Sequence, residues 1–256
     1  LTLIDSLLVT FLLQYGKDLN GGINLDQQPR VINNTIGLNR FLTKMYGWMA
    51  AAVAFSGIIA YLGATVWRPA VMTFLSQGRM GIWLIFIALF LFMIFGQKTA
   101  LQNPTVSFLM LFAFSGFFGI TLSSVFMLFS IGTIAGAFFS AAAVFVVMSV
   151  IGLTTKRDLS RLGTHLLAAL IAMVVVSVIN LFFLHSSAVT FFFSLIGIVI
   201  FAGLSMFDTA SMKNLYLSYG DRVSETGLAI QGAFSLYLDF INLFQYFLTI
   251  FGWSRD

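Results

Sequence analysis

Between Lys98 and Lys156 the chain carries no Asp, Glu, Lys or Arg. A soluble domain is roughly a quarter charged, so a run of this kind belongs in a bilayer. One helical crossing takes about 20 residues. The run is too long for one crossing and must turn back on itself. It divides into helices over about Thr105–Leu122 and Gly132–Leu153, with a turn expected around Ser123–Ser130. Pro104 suits the position just before a helix start, where its missing N–H is harmless. The whole chain agrees: of 256 residues 59% are hydrophobic and 9% charged, and mean hydropathy is +0.99. This composition defines an all-α integral membrane protein. There is no cysteine, which excludes disulfides, thiolate metal sites and cysteine nucleophiles. Two histidines leave little material for a metal or haem centre, and no cofactor is expected.

The remaining apolar segments are Leu42–Val66, Met80–Gln97, Leu162–Leu184, Val189–Met212 and Leu228–Phe251, giving seven expected crossings. Residues 1–40 stand apart. Leu3–Tyr15 is too short to span, and Gly16–Asn39 is polar and rich in Gly and Asn. The chain begins at Leu1 rather than Met. Two readings of residues 1–40 stay open, a flexible tail or sequence that is not translated. The transmembrane domain is placed at 41–256.

Lys and Arg concentrate in cytoplasmic loops, and this sets orientation. With the N-terminus inside, the inner segments hold Lys17, Arg30, Arg40, Lys44, Lys98, Lys156, Arg157, Arg161, Lys213 and Arg222. The outer segments hold Arg68, Arg79 and Arg255. Seven crossings then place the C-terminus outside. The basic loop Thr154–Arg161 reads as a topology signal that also touches anionic lipid.

Two carboxylates fall within the expected spans. Asp239 sits near the middle of Ala229–Gly252, where an ionised group costs a few kcal/mol or more (about 2.5 at least) and marks a functional candidate. Ser235, Asp239, Asn242 and Tyr246 are spaced four, three and four apart, on one helical face. Asp208 ends a similar stripe of Ser194, Gly197, Phe201 and Ser205. The two helices are sequence neighbours joined by a short loop, so they are expected to lie side by side and antiparallel. Two aspartates brought together this way cannot both ionise cheaply and share a proton. The pair is then a proton-sensitive latch. With hydroxyls and amides around them, Asp208 and Asp239 are also hard oxygen ligands suited to transient Ca²⁺ binding. Asn180 and Ser177 on the fifth segment are further candidates for a polar lining. Ordinary interhelical hydrogen bonding accounts for them equally well. Catalysis is not expected. The G-x-G-D and G-x-S-G signatures of intramembrane proteases, H-E-x-x-H and the P-loop are all absent from the sequence.

Three strings then meet a known family: A-F-S-L-Y-L-D-F-I-N-L-F at 233–244, T-T-K-R-D-L-S-R-L-G at 154–163 and F-A-G-L-S-M-F-D at 201–208. The chain from about Arg40 to Asp256 resembles the Bax inhibitor-1 family, and specifically a bacterial member in the plasma (inner) membrane. The resemblance implies a seven-helix fold whose last helix is central and wrapped by the others. It implies a pH-sensitive passive Ca²⁺ leak, with Ca²⁺ and protons as partners, and assigns the paired aspartates to Asp208 and Asp239. Some relatives place an Arg near the end of the second helix to pair with the sixth-helix aspartate. Here Lys98 is the candidate basic partner, without the guanidinium fork. The alternative that the resemblance offers is a non-transporting regulator of membrane proteostasis, partnered with a membrane-bound ATP-dependent protease.

Overall fold

The computed structural model describes residues 35–76, 91, 103–180, 186–220 and 224–253. Seven helices are defined among them: α1 Thr35–Thr65, α2 Arg68–Ser76, α3 Pro104–Leu128, α4 Ile131–Thr154, α5 Ser160–Ile179, α6 Ser187–Tyr219 and α7 Glu225–Trp253. All except the nine-residue α2 are long and apolar enough to cross a membrane. The chain is an integral membrane protein. The expected crossing at Met80–Gln97 lies outside the described residues, apart from Leu91.

Local chemistry sets the helix ends. Asn103 caps α3 by accepting from the Thr105 amide at 3.0 Å, with Pro104 in the first turn. Ser224 caps α7, its hydroxyl accepting from the Gly227 amide at 3.2 Å, and Glu225 sits favourably at the positive end of the helix dipole. Ahead of α5, whose cap residue is Leu159, Asp158 forms a local turn. Its Oδ1 accepts from the Ser160 amide at 2.9 Å and the Ser160 hydroxyl at 2.6 Å. Those two bonds hold the Asp158 carboxyl below its ordinary acidity range.

The expected turn at Ser123–Ser130 shrinks to a break at Phe129–Ser130, because α3 continues to Leu128. The hydroxyls that read as a turn are turned back onto their own helix. Thr121 donates to the Phe118 carbonyl at 2.9 Å, Ser123 to Gly119 at 3.2 Å and Ser124 to Thr121 at 2.8 Å. In an apolar medium that local bond satisfies the hydroxyl without ending the helix. The helix expected at Val189–Met212 likewise runs on to Tyr219, and α1 begins at Thr35, ahead of Arg40. Helix α2 was not expected from the sequence. It starts on Arg68-Pro69, a helix-opening pair, but is too short to show apolar periodicity.

The described chain divides into two compact units, and the division falls inside continuous helices. One unit comprises the described chain up to Ile134 with Leu215–Tyr237. In it α1 and α3 run parallel, shown by Trp48 against Phe108 and Phe112, Phe55 against Phe112 and Tyr61 against Phe126. Gly119 lets the two backbones meet: a Cβ there would lie 2.7 Å from the Ile59 side chain and 2.9 Å from the Ser56 carbonyl oxygen. Phe114 and Phe118 pack on Phe234 and Tyr237 of α7. At the start of α1, Phe41 stacks on Tyr216, while Arg40 and Lys44 both pair with Glu225, at 2.9 and 2.7 Å.

The other unit comprises Ala135–Asn214 and the described chain from Leu238 onward. An aromatic ladder of Phe138 and Phe145 on α4 grips Phe240 and Phe244 on α7. Helices α4 and α6 run parallel along a tight seam. Gly152 faces the Met206 carbonyl directly, the Thr209 hydroxyl donates to Ser149 at 3.3 Å, and Lys213 Nζ donates to the Leu153 carbonyl at 2.7 Å. That lysine satisfies a carbonyl at the end of α4 and places a positive charge at the negative end of its dipole. Of the six spans α7 is the most enclosed: 67% of its most apolar stretch is buried, against 22% for α4 and α5. The burial lets α7 carry Gln231, Asp239 and Asn242 out of contact with lipid.

Candidate functional site: a buried pair of carboxylates

Asp208 is carried by α6 and Asp239 by α7, and both are buried, at 5% and 2% exposure. The Asp208 carboxyl lies close to Asp239. The expectation from the sequence that these two helices lie adjacent and antiparallel holds within this unit. Ser205 lies beside Asp239, while Gly197 and Phe201, earlier on α6, meet Tyr246, later on α7.

Ser205 is fully buried within hydrogen-bond reach of the Asp239 carboxyl, and its hydroxyl also lies 2.8 Å from the Phe201 carbonyl. Asn242, one turn along the same face, spends its amide on the Leu238 carbonyl at 2.8 Å. Asp239 Oδ2 is left with no hydrogen-bond partner among the described residues. A buried polar atom without a partner costs about 1–3 kcal/mol, more when charged, and calls for an explanation such as water, an ion or a bound proton. Among the described residues neither carboxylate is in an ion pair with a lysine or arginine. Lys98, the expected basic partner, lies outside the described residues.

The other expected site residues separate into two groups. Ser235 is buried on the Asp239 face of α7, one turn before it. Tyr246 lies two turns beyond, its ring over Gly197 and 5.8 Å from that of Phe201, and its hydroxyl reaches Met173 Sδ on α5 at 4.0 Å. Asn180 is elsewhere. Its amide donates to the Ser186 carbonyl at 3.3 Å and to Thr190 Oγ1 at 3.2 Å, and its oxygen accepts from the Ser186 amide at 3.0 Å. It ties the end of α5 to the start of α6. Thr190 precedes Asp208 by eighteen residues on α6, about 27 Å of helix. Sequence reading missed Lys213, Ser149 and Thr209, which fix α6 beside α4 next to Asp208. The signal was weak, because a lysine that caps a distant helix looks like any loop lysine. Groups of three or more acidic, histidine or cysteine residues able to hold a resident metal are absent among the described residues. The two buried carboxylates, with the Ser205 hydroxyl beside Asp239, offer hard-donor chemistry fit for a passing cation or a proton.

A helical membrane protein with two buried aspartates on adjacent antiparallel spans is the class that fold and site define. The family model for the inhibitor of apoptosis-promoting Bax1 matches residues 38–256. The chain belongs to the Bax inhibitor-1 family. It is 35% identical to the inner membrane protein YbhL of Escherichia coli (strain K12), over 90% of this chain and 100% of that protein. An uncharacterized protein of Rickettsia prowazekii (strain Madrid E) is 37% identical, over 86% of this chain and 92% of its own length. An uncharacterized membrane protein of Streptococcus pyogenes serotype M1 is 38% identical, over 85% and 94%.

Proposed function

We propose that this chain is a pH-sensitive passive Ca²⁺ leak of a bacterial inner membrane, gated by a proton shared between Asp208 and Asp239. The observation that carries the reading is Asp239 Oδ2, buried and without a hydrogen-bond partner among the described residues, close to the Asp208 carboxyl. With one proton on the pair, the two groups can hold α6 to α7 through a hydrogen bond. Without it, two like charges repel unless a cation enters between them. Ca²⁺ is suited to such oxygens, and here it is cargo rather than a resident ion. The reading also takes seven crossings, the N-terminus inside and the C-terminus outside. The parallel runs of α1 with α3 and of α4 with α6 support one crossing between the members of each pair, while the orientation rests on the distribution of Lys and Arg.

Purified protein in liposomes loaded with a Ca²⁺ dye tests this. Flux is expected to change between about pH 5 and 8. Asp239→Asn, which is neutral at every pH, is expected to remove that pH response. Flux absent throughout the range, or a pH response that survives Asp239→Asn, would sink the proposal.

A further inference from the structure

Among the described helices α2 alone is too short to cross a membrane. At nine residues it is also too short to be stable in water without support from outside itself. The protein supplies that support on one side. Val71 is buried, and its Cγ2 would lie 3.4 Å from a Cβ at Gly63, in the last turn of α1. Gly63 in turn faces Ser123, near the end of α3, directly. Helix α2 therefore folds back to the level at which α1 and α3 end and does not stand out into water. The other side is open. Val66, Trp67 and Met72 are 65%, 47% and 48% exposed, and Arg68 is exposed with them. Arg68 is in no ion pair among the described residues. The nearby hydroxyls bond to their own backbone: Thr65 donates to the Tyr61 carbonyl at 2.8 Å, Thr73 to Pro69 at 2.9 Å and Ser76 to Thr73 at 3.0 Å. Hydroxyls satisfied in this way tolerate an apolar surrounding. The open apolar surface also continues that of the span before it. Ile58 and Tyr61 of α1 are exposed, and Trp67 follows Tyr61 by six residues, about 9 Å at the helical rise.

We infer that α2 is an interfacial anchor. It lies in the headgroup layer of the bilayer where α1 ends, with Trp67 and Met72 at the acyl-chain boundary and Arg68 against phospholipid phosphate. Tryptophan has the amphipathic ring favoured at that depth. A guanidinium pairs with phosphate through two parallel N–H donors. Lipid then completes the support that the protein gives on the Val71 side. Because Val71 packs where Gly63 meets Ser123, the anchor fixes the depth at which α1 and α3 sit in the membrane. The inference stands apart from the reading of Asp208 and Asp239. It also stands apart from the orientation of the chain, since either membrane surface offers these lipid groups.

The chain has no cysteine, so a single introduced thiol can be labelled without background. Full-length Met72→Cys carries a nitroxide and is reconstituted in liposomes of phosphatidylethanolamine and phosphatidylglycerol. Power saturation then compares access of molecular oxygen, which concentrates among acyl chains, with that of a water-soluble nickel chelate. Oxygen is expected to have the greater access, at a depth of about 5–10 Å below the headgroup surface. Adding Arg68→Glu should raise nickel access by roughly twofold or more, while Arg68→Lys should keep the label in lipid. Trp67 is read by its own fluorescence. The difference in emission between the parent and Trp67→Phe isolates its share, and lipid brominated near the top of the acyl chain should quench that share. Nickel access exceeding oxygen access at position 72 would place the helix in water and overturn the inference. Exclusion of both reagents would also overturn it, because protein, such as a second copy of this chain, would then cover the face. Absence of quenching would remove Trp67 from the anchor, and nickel access unchanged by Arg68→Glu would remove the phosphate contact.

Discussion

Single residues here are decided by what faces them. Glycine in a helix costs about 1 kcal/mol relative to alanine. A Cβ at Gly47 would meet nothing within 4 Å, so Gly47→Ala should raise stability by up to that amount. At Gly119 the same methyl would lie 2.9 Å from the Ser56 carbonyl oxygen, which belongs to the backbone of α1 and cannot swing aside. Overpacking costs about 1–3 kcal/mol, so there the clash outweighs the helix gain and Gly119→Ala should destabilise. Thermal melting in detergent should show opposite signs for the two variants. Asp158 offers a pH test outside the membrane. Its carboxyl titrates below the usual aspartate range, so its bonds to Ser160 stabilise the native form above the unfolded value and are lost as pH falls through the folded one. Protection of the Ser160 amide from hydrogen exchange should therefore persist below about pH 3.9 before it fails. In Asp158→Asn that acid transition should vanish.

At the scale of elements, the seam between α4 and α6 is the firmest support of the site. Its parts are Gly152 against the Met206 carbonyl, Ser149 with Thr209, and Lys213 on the Leu153 carbonyl. They bracket Asp208 on its own helix. Lys213→Met removes a charged donor from a carbonyl at the helix end. Hydrogen bonds to charged groups contribute about 1.5–3 kcal/mol when shielded, and this one is half shielded. A loss near the lower figure is expected, seen as a lower melting temperature that Lys213→Arg partly restores. An unchanged melting temperature in Lys213→Met would remove the cap from the account. The ion pairs of Arg40 and Lys44 with Glu225 are partly exposed, and exposed pairs contribute little, so they serve more to fix where α7 begins than to stabilise it.

At the scale of the whole molecule, the proposed orientation places the end of α7 outside the cell. Alkaline phosphatase fused after Asp256 should then be active, and a green fluorescent protein at the same position should stay dark. The reverse pattern would invert the scheme. Much was legible without coordinates. The uncharged run from Lys98 to Lys156 demanded two helices and a turn, because backbone polar groups in a bilayer must be satisfied within a helix. Family membership was legible too, in the strings around Asp208 and Asp239, because a carboxylate is too costly in a membrane to appear without a role. The helix ends were less so. Serine and threonine at 121–124 carry turn chemistry in water, yet in α3 they bond to their own backbone, and sequence contains no record of that choice. Asn180 read equally well as lining or as an interhelical hydrogen bond, and only the structure shows it tying α5 to α6, since a three-residue spacing reports a face but not its neighbour. What the sequence determined by itself is the membrane class, the apolar spans and the two acidic helices, because burial of charge and helix length are properties of composition along the chain. Only the tertiary structure decided that Asp208 and Asp239 are both buried on helices packed side by side, that Asp239 keeps an oxygen without a partner among the described residues, and that Tyr246 rests on Gly197. Those facts depend on which faces of separate helices meet, and such contacts are set by packing across the fold rather than by any local stretch of residues.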